Sequence, residues 1–196
     1  MSHCVDCAPG WCNLGVDEPA NRRPAPAGAS AVHSSPVEWD PVMRVLAALE
    51  AARVDYLVIG GVAVNFHGIA RATEDLDVFI APDAENVARL RAALHSVYDD
   101  PSIDEITADD LCGEYPAIRY VPPGDGPPMD ILTRLGERFR FADLEGERYD
   151  VEGQPVFVAT PRTLYRMKIS TVRPLDRADA ARLAEAFDLK EDPSWE

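Results

Sequence analysis

Long hydrophobic runs are missing from this 196-residue chain: no stretch approaches the ~18 apolar residues that a membrane-spanning helix needs. Nor does the N-terminus carry a basic segment followed by an apolar one, which argues against a secretory signal, so a cytoplasmic protein without a membrane partner is expected. Basic residues are few beside acids, 19 against 34, and the net charge of −15 argues against a surface that grips nucleic acid broadly. That grip comes from Lys and Arg neutralising phosphates. An RNA reached through a local patch stays compatible with this balance. Lysine is nearly absent, with only Lys168 and Lys190, so the positive charge is almost all arginine. Arg134, Arg138, Arg140, Arg162, Arg166, Arg173 and Arg177 gather late in the chain, where their forks suit either phosphate or a solvated helix face. Cysteine is scarce too: Cys4, Cys7 and Cys12 form a C-x2-C-x4-C group and Cys112 stands apart. The group reads either as a zinc site completed by His3 or His33 or as free thiols on a tail.

What is present is ordinary for one folded domain: 46% hydrophobic residues, and a length sufficient for one sizeable core. Residues 1–36, rich in Pro, Ala, Ser and Gly, read as a disordered leader. Order is expected from residue 37. Asp40 is placed as the cap of a helix with Pro41 first and Val42, Val45, Leu46 and Leu49 on its buried stripe. A second amphipathic helix opens at Pro82-Asp83, with Val87, Leu90, Leu94 and Val97 inward. Residues 99–115 read only as a loop or a short strand around Ile103 to Ile106. Strands are expected at residues 117–121 and 129–133, separated by the turn PPGDGPP, and a hairpin over residues 149–158 turns near Glu152-Gly153-Gln154. Thr160 caps a helix with Pro161 first. Pro174 ends it, and Asp176 begins the last helix, with Ala180, Leu183, Ala184 and Phe187 as its stripe. Residues 37–159 thus form a core and residues 160–196 a helical closure of the same domain.

The chemistry lies in YLVIGGVAVNFHGIARATEDLDVFI, residues 56–80. A β-branched run, Gly60-Gly61, and Val62, Ala63 and Phe66 at helical spacing read as strand, tight turn and helix, with the helix beginning near Val62. In the strand that follows, Asp75 and Asp77 alternate, so both carboxylates point to one face and Leu76 and Val78 to the other. Two acids side by side repel unless a cation sits between them. Asp130, a single acid in the apolar run Met129 to Thr133, supplies a third carboxylate from a later strand. Such a trio suits a two-metal site.

Gly60-Gly61, thirteen intervening residues and then Asp75-x-Asp77 resemble the motif of the nucleotidyltransferase superfamily, the fold of DNA polymerase β and of minimal nucleotidyltransferases. The fuller pattern, with Ala63, His67-Gly68, Arg71 and Thr73 between, resembles the branch of AbiEii-type abortive-infection toxins, loosely over residues 40–187. The resemblance implies an α/β (α+β) fold with a mixed, mostly antiparallel sheet flanked by helices and a small C-terminal helical segment. It further implies transfer of an NMP from an NTP to a hydroxyl on RNA or protein, with Mg²⁺ or Mn²⁺. Asp75 and Asp77 would hold both ions, and Asp130 would complete the one nearer the acceptor and help to deprotonate its hydroxyl. Gly60 and Gly61 would cradle the β- and γ-phosphates. Many members have Gly-Ser there, so a hydroxyl contact is absent. Arg71 and Thr73 reach the nucleotide on this view, although Arg71 equally suits a pairing with Glu74 or Asp75. Lys168, inward on its helix, binds phosphate or pairs with an acid of the site. Its order with Arg173 and Asp176 is that of the family. His67 reads as a cap or packed residue and not as a base. A cognate toxin or antitoxin is the implied protein partner. Two other classes stay open: a non-catalytic nucleotide- or partner-binding module, and an antitoxin-like minimal nucleotidyltransferase acting on a partner toxin.

Overall fold

The computed structural model describes residues 23–24, 39–113, 116–169 and 171–189. Cys4, Cys7, Cys12, His3 and His33, and with them the zinc reading, lie outside those residues. Within the stretch read as a leader, Arg23–Pro24 forms β1, which runs parallel to a later strand.

Helix α1 spans Trp39–Ala51 and buries Pro41, Val42, Val45, Leu46 and Leu49, the expected stripe. It begins one residue before the expected cap, so Asp40 sits inside the first turn, where an acid still complements the helix dipole. The Trp39 ring meets Phe66 edge-on at 5.6 Å and fixes that early start. Strand β2 (Tyr56–Val58) leads into α2 (Gly60–Phe66), and β3 (Leu76–Ile80) into α3 (Ala84–Val97), whose cap Asp83 accepts from the Asn86 amide at 2.8 Å. Helix α2 therefore starts at Gly60, two residues earlier than expected.

Within the stretch read as a loop or short strand, a 3-10 turn at Pro101–Glu105 is followed by α4, Ala108–Cys112. Asp100 and Thr107 cap them by accepting from the Ser102 and Asp110 amides. Each is too short to show a helical period, so Ile103, Ile106 and Leu111, all buried, form no stripe to read. Strands β4 (Ala117–Tyr120) and β5 (Met129–Leu132) follow as expected, and then a small hairpin, β6 (Arg134–Leu135) with β7 (Phe139–Arg140), that the sequence pattern did not suggest. Strands β8 (Gly146–Val151) and β9 (Gln154–Ala159) pair antiparallel. Their turn holds Glu152 at φ 54° and Gly153 at φ 87°, the two positive values that a two-residue hairpin turn requires. Helix α5 spans Pro161–Ile169, with Thr160 accepting from the Thr163 amide at 3.1 Å. The last helix, α6, spans Pro174–Phe187, so Pro174 is its first residue and Asp176 lies within its first turn rather than before it.

The main sheet has the order β1-β8-β9-β2-β3-β5-β4. Antiparallel and parallel neighbours alternate across it, and the antiparallel pairs β8/β9, β2/β3 and β4/β5 carry most of the paired residues. Helix α1 packs on α3, α5 on α6, and α2 on β3 and α5. Leu46, Leu49, Leu57, Leu76, Phe79, Ile80 and Ile131 are fully buried at the centre, each contributing about 1.5–3 kcal/mol on removal from water. Leu164, Met167 and Leu183 of the last two helices join the same core. Among the described residues no helix is long and apolar enough to cross a membrane.

Candidate active site

The acids meet because of strand register. Strand β3 runs parallel to β5, and Asp77 is the direct partner of Asp130 across that pair. Asp75 lies in the bend just before β3, where its carboxylate shares the Arg119 guanidinium with Asp130 and its charge acts on Asp77. Asp77 is the least solvated of the three in effect: burial first, then the charges of Asp130 and Asp75, push its carboxyl up to about 6, while Lys168 and Arg71 pull it down. Asp75 and Asp130 keep about a third of their side-chain surface.

Gly60 is wedged against this acid. Its φ is +66°, and a Cβ there would collide with the Asp77 carboxylate. The Ile59 amide also donates to the Asp77 carbonyl at 3.0 Å, which ties the glycine turn to the acidic strand. At Gly61 a Cβ would come within 2.5 Å of Arg71 Nη1 and 2.7 Å of Thr73 Cβ. The space that a serine would fill is taken by Arg71 and Thr73, so Gly-Gly rather than Gly-Ser is the pair that fits. Gly60→Ala should lose about 1–3 kcal/mol from the positive φ and the collision together. In denaturant unfolding the double variant Gly60→Ala, Asp77→Ala should recover most of the collision part, the contact that stays being the residue 77 Cβ at 2.9 Å. Strict additivity of the two single losses would show that Gly60 and Asp77 do not press on each other.

Arg71 and Lys168 are both held by one acid that the sequence pattern did not single out. Asp179 is fully buried, and its Oδ2 accepts from Arg71 Nε at 3.1 Å and from Lys168 Nζ at 3.0 Å. Lys168 also donates to Asp176 at 2.9 Å. Arg71 therefore pairs with neither Glu74 nor Asp75, and Lys168 with none of Asp75, Asp77 and Asp130. Its charge still acts on Asp77. Asn65 fixes the Arg71 backbone, accepting from its amide at 2.8 Å and donating to its carbonyl at 2.9 Å. Thr73, buried, donates to the Asp75 carbonyl at 3.3 Å and so shapes the entry to β3. His67 closes α2 as a packed cap. Its Nε2 donates to the Ala159 carbonyl at 2.7 Å, so its Nδ1 accepts from the Tyr149 hydroxyl at 2.8 Å. Both nitrogens are thus engaged in holding the strand-helix junction.

Arg119 on β4 was also missed. It is the direct partner of Asp130 across β4/β5, and its fork spans two of the three acids. Nη1 donates to Asp130 Oδ1 and Oδ2 at 3.1 and 3.2 Å, and Nη2 to Asp75 Oδ1 at 2.7 Å. The signal in the sequence was a polar residue inside a short strand joined by a turn to the strand of Asp130. For Asp179 it was an acid in line with Ala180 and Leu183, together with an inward lysine that needed a counter-charge.

The donor set suits a hard divalent cation, since it consists of carboxylates alone and their repulsion already bears on Asp77. A cationic group, the Arg119 guanidinium, lies between two of them. Among the described residues, however, no three His, Cys, Asp or Glu side chains stand ready to hold an ion. Asp77 and Asp130 are paired in register, and Asp130 and Asp75 share a guanidinium.

A strand, glycine turn and short helix, followed by an acidic strand whose parallel neighbour carries a third acid, define the nucleotidyltransferase class. The family described as "Nucleotidyl transferase AbiEii toxin, Type IV TA system" matches residues 44–187, and the chain belongs to it. No curated protein matches. Among solved structures, the chain is similar to an antigenic nucleotidyltransferase-like protein from Paracoccidioides brasiliensis, at 21% identity and a TM-score of 0.49 over 74% of each chain. It is also similar to ANT(2")-Ia in complex with adenylyl-2"-tobramycin, at 15% identity and a TM-score of 0.45 over 74% of this chain and 86% of that one.

Proposed function

We propose that this protein transfers an NMP from an NTP to a hydroxyl on RNA or protein, with Mg²⁺ or Mn²⁺, in a toxin-antitoxin setting. The observation that carries the proposal is the register that sets Asp77 beside Asp130, with the charge of Asp75 acting on Asp77 and Gly60 against it. The acceptor oxygen attacks the α-phosphorus, the bond to the bridging oxygen of the β-phosphate breaks, and pyrophosphate departs. Bound cations supply neutralisation of the charge that gathers on the phosphoryl oxygens. Asp75 and Asp77 are the residues that would hold both ions. Asp130, as the remaining ligand, takes the side of the acceptor and draws off its proton.

Backbone amides at the glycine turn serve the phosphates. The amide of Ala63 bonds to the Ile59 carbonyl, so those of Gly60, Gly61 and Val62 precede the first intrahelical bond, and no side chain caps them. Arg71, stacked over Gly61 and anchored on Asp179, adds a cation beside that turn, and Lys168 lends its charge from behind. Thr73 keeps Asp75 in place through the backbone.

The test is a thermal-shift panel of ATP, GTP, CTP and UTP with and without Mg²⁺, on wild type and on the Asp75→Ala, Asp77→Ala variant. A nucleotide at a hundred times its Kd should stabilise by about 2.7 kcal/mol. Stabilisation by one NTP that needs Mg²⁺ and both acids supports transfer and names the base. No shift with any of the four sinks it and favours a partner-binding module.

A further inference from the structure

Arg119 has no part in the chemistry above, yet it is the residue in closest contact with the acids. It reaches them from the strand next to β5, in register with Asp130, and crosses that residue to touch Asp75. Its fork engages both oxygens of Asp130 and approaches both of Asp75, at 2.7 to 3.5 Å. Asp77 is the one acid it leaves alone. Carboxylates spread about a guanidinium stand further apart than those drawn to about 2.0–2.1 Å from a Mg²⁺ ion. This accounts for three neighbouring acids that nevertheless form no ready cage among the described residues. The guanidinium is also easily moved: half of its side-chain surface is exposed, and solvated ion pairs of this kind are weak.

We propose that Arg119 is a resident counter-ion that sets the cation affinity of the three-aspartate site. It occupies Asp75 and Asp130 until a divalent cation displaces it, and its departure lets the three carboxylates converge. The proposal rests on the assignment of these acids as the metal ligands.

The experiment is a Mn²⁺ titration of the metal-free full chain, with free Mn²⁺ counted by electron paramagnetic resonance, for wild type, Arg119→Gln and Arg119→Lys. Beside it, the Nε–H resonance of Arg119 is followed by ¹⁵N NMR as Mg²⁺ is added to the wild type. Arg119→Gln should bind Mn²⁺ about two- to five-fold more tightly, the range expected when a solvated ion pair no longer competes. Arg119→Lys, which keeps the charge without the fork, should fall between, and the Nε–H resonance should shift as the site fills. Equal or weaker binding by Arg119→Gln while wild type binds Mn²⁺, or an Nε–H resonance unmoved at saturating Mg²⁺, overturns the proposal and leaves the metal assignment standing. Absence of Mn²⁺ binding in wild type and variants alike overturns both. Should Arg119→Gln not fold, the wild-type resonance decides.

Discussion

Asp77→Asn is expected to abolish nucleotidyl transfer while raising the melting temperature of the metal-free protein at neutral pH. Two opposite effects of one change follow from the place of Asp77. Its carboxylate is the central member of the trio, flanked by Asp75 just before its own strand and Asp130 in register on the next, so its loss removes a ligand from both proposed ions. Loss of activity should be at least about a hundred- to a thousand-fold, on the order of what one essential electrostatic group contributes to a rate. Stability moves the other way because the folded protein resists ionising this acid. Its carboxyl rises from 3.8 to about 6 through burial and the two neighbouring charges. An acid whose folded value is raised binds more protons folded than unfolded, so stability falls as pH climbs between about 4 and 6 and stays lowered above. Asparagine has no charge to place there. At pH 7.5 the gain has a ceiling of about 3 kcal/mol, the free-energy equivalent of that rise, and the solvent that still reaches this half-buried side chain reduces it. Melting curves of both proteins from pH 4 to 8, in chelator, check this: the curves should be closest near pH 4 and separate by pH 6. A variant that melts far below wild type throughout would mean that Asp77 is needed for structure.

Asp179→Ala should be the most damaging single change to stability among the charged residues described. It removes the acid that holds Arg71 and Lys168, both largely buried, and leaves their charges with less to answer them. Breaking one partner out of a buried ion group costs about 3–5 kcal/mol. Lys168 keeps Asp176, so the lower end is expected. Urea unfolding at pH 7 measures it. The origin of the loss is tested by Asp179→Leu with Lys168→Met, which removes acid and lysine together and should recover part of it, since a packed apolar pair avoids the stranded charge. A loss below about 1 kcal/mol for Asp179→Ala would show that water or other groups reach the two cations. Because Arg71 lies over Gly61 and is oriented by Asp179, the nucleotide-induced shift should also shrink in Asp179→Ala even where the protein remains folded.

The local pattern was sufficient for the elements that carry the site. Alternation in Asp75 to Ile80 and the stripe of α1 each follow from a single period of the chain, and Gly60-Gly61 from the need for a turn without side chains. The helical pieces at residues 101–112 escaped because they are one or two turns long, and caps at Asp100 and Thr107 are their only local sign. Helix starts at Trp39, Gly60 and Pro174 moved by one or two residues, since packing of Trp39 on Phe66 and the fit of Gly60 to Asp77 are contacts between distant segments.

By itself the sequence determined that Asp75 and Asp77 stand together at the head of one strand, that a bare turn precedes α2, that a third acid sits in an apolar strand, and that Lys168 faces inward and must have an acid. Those are consequences of side-chain period and of the cost of burying charge. Which strand lies next to which is decided only when the sheet closes. Register alone sets Asp130 beside Asp77 and Arg119 beside Asp130, and the docking of α6 alone makes Asp179 the common partner of Arg71 and Lys168. Pairings between residues far apart in the chain leave no periodic trace in it, because each strand or helix keeps its own pattern whichever neighbour it meets.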